Sequence, residues 1–149
     1  MPDTFYKDLP IGEEAEYMAL QIIKKKYPRA YKKQGNFKDY DLFVPEKNIS
    51  IEVKRDIGSN NSNNYFIEYK CNGCNSGIFA SKSDYYAIFD ENRLIWIKTD
   101  ELKIISAKYG KKWVGIPEGG VSEVEAYLVN KNYIVEYSKM VTNIHESQH

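Results

Sequence analysis

The sequence predicts one mixed α/β, or α+β, domain. Three observations lead there. The 149 residues suit a chain with a single buried core. An amphipathic helical pattern near the N-terminus gives way to short extended runs bounded by turn residues. Helical patterns then recur between strands instead of forming a block of their own. No internal repeat or linker divides the chain. Residues 1–149 therefore read as one domain, with a polar lead-in over 1–10 and a fraying tail over about 141–149.

Each element has a local cause. Pro10 and Gly12 prepare a helix that runs to about Tyr27, because Ala15, Met18, Ala19, Ile22 and Ile23 recur at helical spacing. Pro28 forces Tyr27 out of helical geometry and ends it. Short extended pieces follow at Ala30–Lys33, Tyr40–Val44 and Ile49–Lys54, with Pro45–Asn48 as turn material between the last two. Asp56–Asn64, rich in Asn, Ser and Gly, reads as a mobile loop. Tyr65–Lys70 returns as a strand, Cys71–Ser76 as a loop, and Ser81–Asp84 as a helical turn or cap. Tyr85–Phe89 and Leu94–Lys98 make a hairpin around Asp90–Arg93, and Thr99 caps a helix through Ile105. Lys112–Gly115, Glu125–Val129 and Tyr133–Tyr137 look like closing strands.

Composition narrows the function classes. Apolar residues at 42% and charged residues at 28% are ordinary for a soluble globular protein. No apolar run is long enough for a membrane helix, so the expectation is an intracellular, cytoplasmic protein with no membrane partner. The formal net charge of zero argues against strong non-specific nucleic-acid binding. Positive charge is nevertheless clustered, at Lys24, Lys25, Lys26, Arg29, Lys32 and Lys33, and again at Lys108, Lys111 and Lys112. Cys71 and Cys74 form the only C-x-x-C, short of the four ligands zinc takes, so Asn72-Gly73 reads as a tight turn between reduced thiols.

The chemistry is carried by register. Glu52-Val53-Lys54 alone is a weak signal. If Tyr40–Val44 and Ile49–Lys54 pair across the four-residue loop, Val44 faces Ile49, Leu42 faces Ile51, and Asp41 faces Glu52. Tyr40, Leu42 and Val44 then share an apolar face with Ile49, Ile51 and Val53. Asp39, Asp41, Ser50, Glu52 and Lys54 occupy the other, where Phe43 is the one apolar member. A slip of one residue would drive the charges into the core. Two opposed carboxylates repel, so a cation belongs between them, either Lys54 or a divalent metal. The bland alternative is a solvated Glu–Lys pair on a surface sheet.

An N-terminal helix, then Tyr40-Asp41-Leu42, then Ile51-Glu52-Val53-Lys54, resembles the PD-(D/E)XK nuclease superfamily. The resemblance covers roughly residues 12–100. No Pro precedes Asp41; Lys38-Asp39-Tyr40 stands there instead. Gly12-Glu13-Glu14-Ala15-Glu16 is similar to the helix start of the archaeal Holliday-junction resolvase branch and selects Glu16 as a site residue. On the helix, Glu16 flanks the apolar stripe, Glu14 flanks its other side as the alternative, and Glu13 points further out. Phe66-Ile67-Glu68-Tyr69, Ser76-Gly77-Ile78 and Ser81-Lys82-Ser83-Asp84 resemble small phage-borne members, which makes Glu68 an additional candidate.

The resemblance implies a restriction-endonuclease-like fold, a central mixed β-sheet flanked by helices, and a DNA-cleaving hydrolase. Asp41, Glu52, the Val53 carbonyl and Glu16 would hold Mg²⁺ or Mn²⁺, and Lys54 would position the attacking water and offset developing charge. Arg55, Ser81 and Lys82 would contact DNA, the last two as the start of a helical turn suited to a phosphate. A domain of this size has one active site, so cutting both strands would call for a homodimer. Two other readings stay open: a non-catalytic nucleic-acid-binding or assembly module on the same fold, and an interaction protein using its tyrosine-rich surface.

Overall fold

The computed structural model describes residues 11–34, 39–56, 62–91 and 93–143. Most of the predicted loop over 56–64, the lead-in over 1–10 and the last six residues lie outside them. The elements run α1 (Ile11–Lys24), β1 (Tyr31–Lys32), β2 (Leu42–Val44), β3 (Ile49–Arg55), β4 (Asn64–Cys71), β5 (Cys74–Asn75), α2 (Gly77–Ala80), β6 (Tyr85–Asp90), β7 (Arg93–Lys98), α3 (Thr99–Tyr109), β8 (Lys111–Gly115), β9 (Val124–Asn130), α4 (Lys131–Tyr137) and β10 (Met140–Asn143).

The strands form two sheets. The first has the order β1-β2-β3-β6-β7-β10, and the second β5-β4-β9-β8. Every pairing is antiparallel except β3 with β6. That parallel pair needs a crossover, and here the crossover carries β4, β5 and α2. The mixed α+β class holds. Helices flank the first sheet on both faces; on one, Ala15, Met18, Ala19 and Ile23 of α1 pack on Leu42, Val44, Ile51 and Val53. The second sheet covers the opposite face: Tyr86, Ile88, Ile95 and Ile97 meet Tyr65, Ile67 and Val129 in a second core, which Leu102 and Ile105 of α3 complete.

The β2–β3 register is the one read from alternation, with Leu42 opposite Ile51, Phe43 opposite Ser50 and Val44 opposite Ile49. Asn48 closes the turn with φ 53°, a left-handed conformation that Asn tolerates. Tyr40 departs from expectation. It precedes the strand, and its ring lies 5.8 Å from that of Phe43 instead of joining the apolar face. Asn72 (φ 52°) and Gly73 (φ 79°) form the turn between β4 and β5, with Cys71 and Cys74 as free thiols opposite one another.

Four points differ from the sequence reading. Tyr133–Tyr137, rich in residues that favour strands, lies in α4. The Asn130 side chain caps this helix by accepting the Asn132 N–H, Ile134 is fully buried, and Tyr133 stacks on Tyr109 with centroids 4.1 Å apart. Tertiary packing overrides the propensity here. Met140–Asn143, expected to begin the frayed tail, pairs with β7 and accepts the Trp96 indole N–H at Thr142. Ser81–Asp84 is not a helical turn. The helix precedes it at Gly77–Ala80 and ends at Ser81, whose backbone is extended. Thr99 begins α3 without capping it, and its hydroxyl instead meets that of Ser83 at 3.1 Å.

Candidate active site

Asp41 sits one residue outside β2, and its three polar groups are all engaged. Its N–H donates to the Ile51 carbonyl (2.9 Å), its carbonyl accepts the Lys33 N–H (2.8 Å), and its carboxylate Oδ2 accepts the Val53 N–H at 2.8 Å. The last contact follows from unequal strand lengths. β3 runs on to Arg55 after β2 has ended, so the Val53 N–H meets no strand residue there and the Asp41 carboxylate takes its place. A strand residue directs its N–H and C=O towards the same neighbour. The Val53 carbonyl therefore opens on the same side as Asp41.

Glu52 follows on β3, its side chain 14% exposed, with the Lys54 ammonium 3.4 Å from Oε2. Burial pushes its carboxyl up to about 7. Lys54 pulls the other way, and the adjacent Asp41 charge adds to the rise. The structure thus brings Asp41, Glu52 and Lys54 together. Lys54 itself is half-exposed, with its charge at the rim.

The α1 carboxylates divide between two partners. Glu16 reaches Lys32 at 3.1 Å. Its carboxyl is held above the ordinary range by burial and then by the Asp41 charge, with Lys32 opposing both. Glu14 instead binds Arg55 at 3.2 Å, and Glu13 is exposed. Arg55, read as a DNA contact, has its guanidinium on the α1 side of β3, against Glu14 and over the Phe89 ring at 5.1 Å. Strand alternation turns it away from Lys54.

A cleft of about 160 Å³ opens beside Lys54, lined by Glu68 of β4, Gly77 of α2 and Tyr86 of β6 among others. The Ser76 hydroxyl donates to Glu68 Oε2 at 2.7 Å, which fixes that carboxylate in the cleft wall. Gly77 has φ 46°, and a Cβ there would overlap the Glu68 carbonyl oxygen, so glycine is required both for conformation and for closeness. Ser81 and Lys82 do not open a helical turn. They follow the C-terminus of α2, and the helix start that lies beside them is that of α3, at Thr99 and Asp100. The Ser81 hydroxyl contacts Ser83 at 2.8 Å, and Lys82 is exposed.

Residues that the sequence reading did not single out hold the site in register. Asp84 Oδ2 accepts both the Ser50 N–H (2.9 Å) and the Ser50 hydroxyl (3.1 Å), while the Asp84 N–H donates to the Ser50 carbonyl (3.0 Å). This clamp stands at the start of the parallel pair, and the register it sets puts Glu52 opposite Tyr86 and Lys54 opposite Ile88. Burial holds the Tyr86 hydroxyl well above the usual tyrosine range, and the charges of Glu52, Asp41 and Glu68 add to that, while the nearby Ser81 side chain opposes it. Only knowledge of the β3–β6 pairing would have revealed Tyr86, because 34 residues separate the two strands at the clamp.

Among the described residues no three His, Cys, Asp or Glu side chains converge as a ready metal cage. The paired carboxylates with an adjacent carbonyl still fit a hard cation such as Mg²⁺, which binds through one or two carboxylates and keeps several waters. No helix among the described residues is long and apolar enough to cross a membrane. No family model matches the chain, and no curated protein matches it significantly.

Proposed function

We propose that this chain is a metal-dependent DNA nuclease of the PD-(D/E)XK type, hydrolysing phosphodiester bonds at Asp41, Glu52 and Lys54. The observation that carries the reading is the Asp41 carboxylate, anchored on the Val53 N–H at 2.8 Å and set against a buried Glu52 whose carboxyl is raised to about 7. Two carboxylates forced together and desolvated oppose folding unless a cation joins them. Acids perturbed by burial and a like charge cluster at functional sites.

Asp41, Glu52 and the Val53 carbonyl would hold Mg²⁺ or Mn²⁺, with Glu16 at the edge of the site. The cation, when bound, supplies Lewis acidity towards the phosphodiester and its attacking water. Lys54, half-exposed at the rim, meets the incoming phosphate, orients the attacking water and offsets charge on the phosphoryl oxygens. The Asp41–Val53 hydrogen bond keeps one carboxylate from turning during the reaction. Hydrolysis of both strands of a duplex would take two copies of the chain.

The test is a cleavage panel of single-stranded, duplex, flapped and four-way DNA with Mg²⁺ or Mn²⁺, run beside Glu52→Gln and an EDTA control. Cleavage of at least one form, abolished by EDTA and by the substitution, is expected. Cleavage undiminished in EDTA would refute the metal mechanism. Binding of DNA and Mn²⁺ without cleavage of any form would put a non-catalytic binding module in its place.

A further inference from the structure

The Tyr86 hydroxyl is buried at the carboxylate site, with the Ser81 side chain near it but no hydrogen bond of good geometry. The residue is 3% exposed, and its hydroxyl makes no hydrogen bond among the described residues. Buried polar atoms are nearly always paired, and an unpaired one in a native structure calls for an explanation. Position supplies one. Tyr86 stands opposite Glu52 in the parallel register, its side chain lines the cleft, and the charges of Glu52, Asp41 and Glu68 all reach it.

The neighbouring polar groups each have a partner of their own. Asp41 takes the Val53 N–H, Glu52 pairs with Lys54, Glu68 receives the Ser76 hydroxyl, and Ser81 contacts Ser83. A tyrosine hydroxyl carries its proton at neutral pH and is an O–H donor. Neutrality also matters at this position. A lysine or arginine opposite Glu52 would pair with that carboxylate and compete with a metal for it, whereas an O–H donor can face an anion without adding charge.

We propose that Tyr86 is a further catalytic residue of the site, its hydroxyl donating a hydrogen bond to a phosphoryl oxygen of the DNA strand seated in the cleft. The proposal rests on the nuclease reading and deepens it. Lys54 brings positive charge from the exposed rim, and Tyr86 brings a fixed, desolvated donor from the floor. A preorganised donor of that kind acts without reorganising as charge develops.

The experiment uses Tyr86→Phe, which keeps the ring and removes only the oxygen. Three quantities are measured on the full chain: the melting temperature in EDTA, the binding of a short fluorescent oligonucleotide with Mn²⁺, and the rate of cleavage. An unpartnered hydroxyl predicts a melting temperature equal to or above that of the wild type. A phosphate contact predicts weaker oligonucleotide binding or a kcat lower by at least about tenfold. Wild-type binding and cleavage in the variant would overturn the proposal. So would a fall in melting temperature, because the hydroxyl would then have a partner inside the protein. If the wild type binds DNA without cutting it, the nuclease reading fails alone, and unchanged binding in Tyr86→Phe would overturn the contact as well. If the wild type neither binds nor cuts DNA, both fall.

Discussion

Replacing Glu52 with glutamine should stabilise the metal-free protein at alkaline pH and do little at pH 5. Burial lifts the Glu52 carboxyl from an ordinary 4.5 to about 7. The native state therefore holds a proton that the unfolded chain gives up at a lower pH. Stability falls as pH rises from about 4.5 through 7, and the loss is complete above that. The shift spans 7 − 4.5, about 2.5 pH units, which at 1.36 kcal/mol per unit sets a ceiling of roughly 3 kcal/mol. Glutamine keeps the shape and never ionises. Its loss of the Lys54 contact costs little, because Lys54 is half-exposed. For a domain of this size that ceiling corresponds to a gain of about 6–12 °C in Tm at pH 8.5. Thermal melts in EDTA at pH 5 and pH 8.5 measure it. Addition of Mn²⁺ should reverse the order at pH 8.5 by stabilising the wild type selectively. A glutamine variant no more stable than wild type at pH 8.5 in EDTA would show that Glu52 is not a strained acid.

Three further outcomes follow from the same geometry. Asp41→Asn should fold normally, since an amide oxygen can still accept the Val53 N–H, yet lose DNA cleavage by about two orders of magnitude or more; Lys54→Ala should lose activity while retaining Mn²⁺ binding by calorimetry. Glu16→Gln should raise the Mn²⁺ concentration needed for half-maximal rate, and exposed Glu13→Gln should not; equal effects would remove Glu16 from the site. Gly77→Ala should cost about 2–4 kcal/mol in urea denaturation, because the added methyl overlaps the Glu68 backbone at a positive φ; a change below about 0.5 kcal/mol would mean that the α2–β4 contact yields easily.

The parts of the site that were legible in the sequence are those made by neighbours in the chain. Strand alternation and a four-residue turn were enough to place Leu42 opposite Ile51, and hence Asp41 beside Glu52, because a one-residue slip would invert both faces. Helical spacing likewise separated exposed Glu13 from half-buried Glu16. What could not be read depends on distant pairings. Ser50 looked like one polar residue among several until Asp84 met it. Tyr86 looked like one tyrosine of thirteen. Alternation alone did not show that Glu14 lies on the Arg55 side of the strand. Tyr133–Tyr137 misled for the opposite reason: local propensity was clear, and burial of Ile134 with stacking of Tyr133 outweighed it.

The parallel junction between β3 and β6 also sets an order of assembly. Asp41 and Glu52 belong to one hairpin, which closes over four residues and so forms at small entropic cost. Tyr86 reaches Glu52 only after the chain has travelled out through β4, β5 and α2 and returned to the Ser50–Asp84 clamp. Such long-range closure is slow compared with hairpin formation. A β2–β3 hairpin formed before β6 docks would carry both carboxylates in open water, as ordinary acids. The desolvation that sets Glu52 apart arrives with β6, in the same step that delivers the tyrosine. The acid pair is built early and activated late, so a chain that has not finished folding holds the ligands of the site without its chemistry.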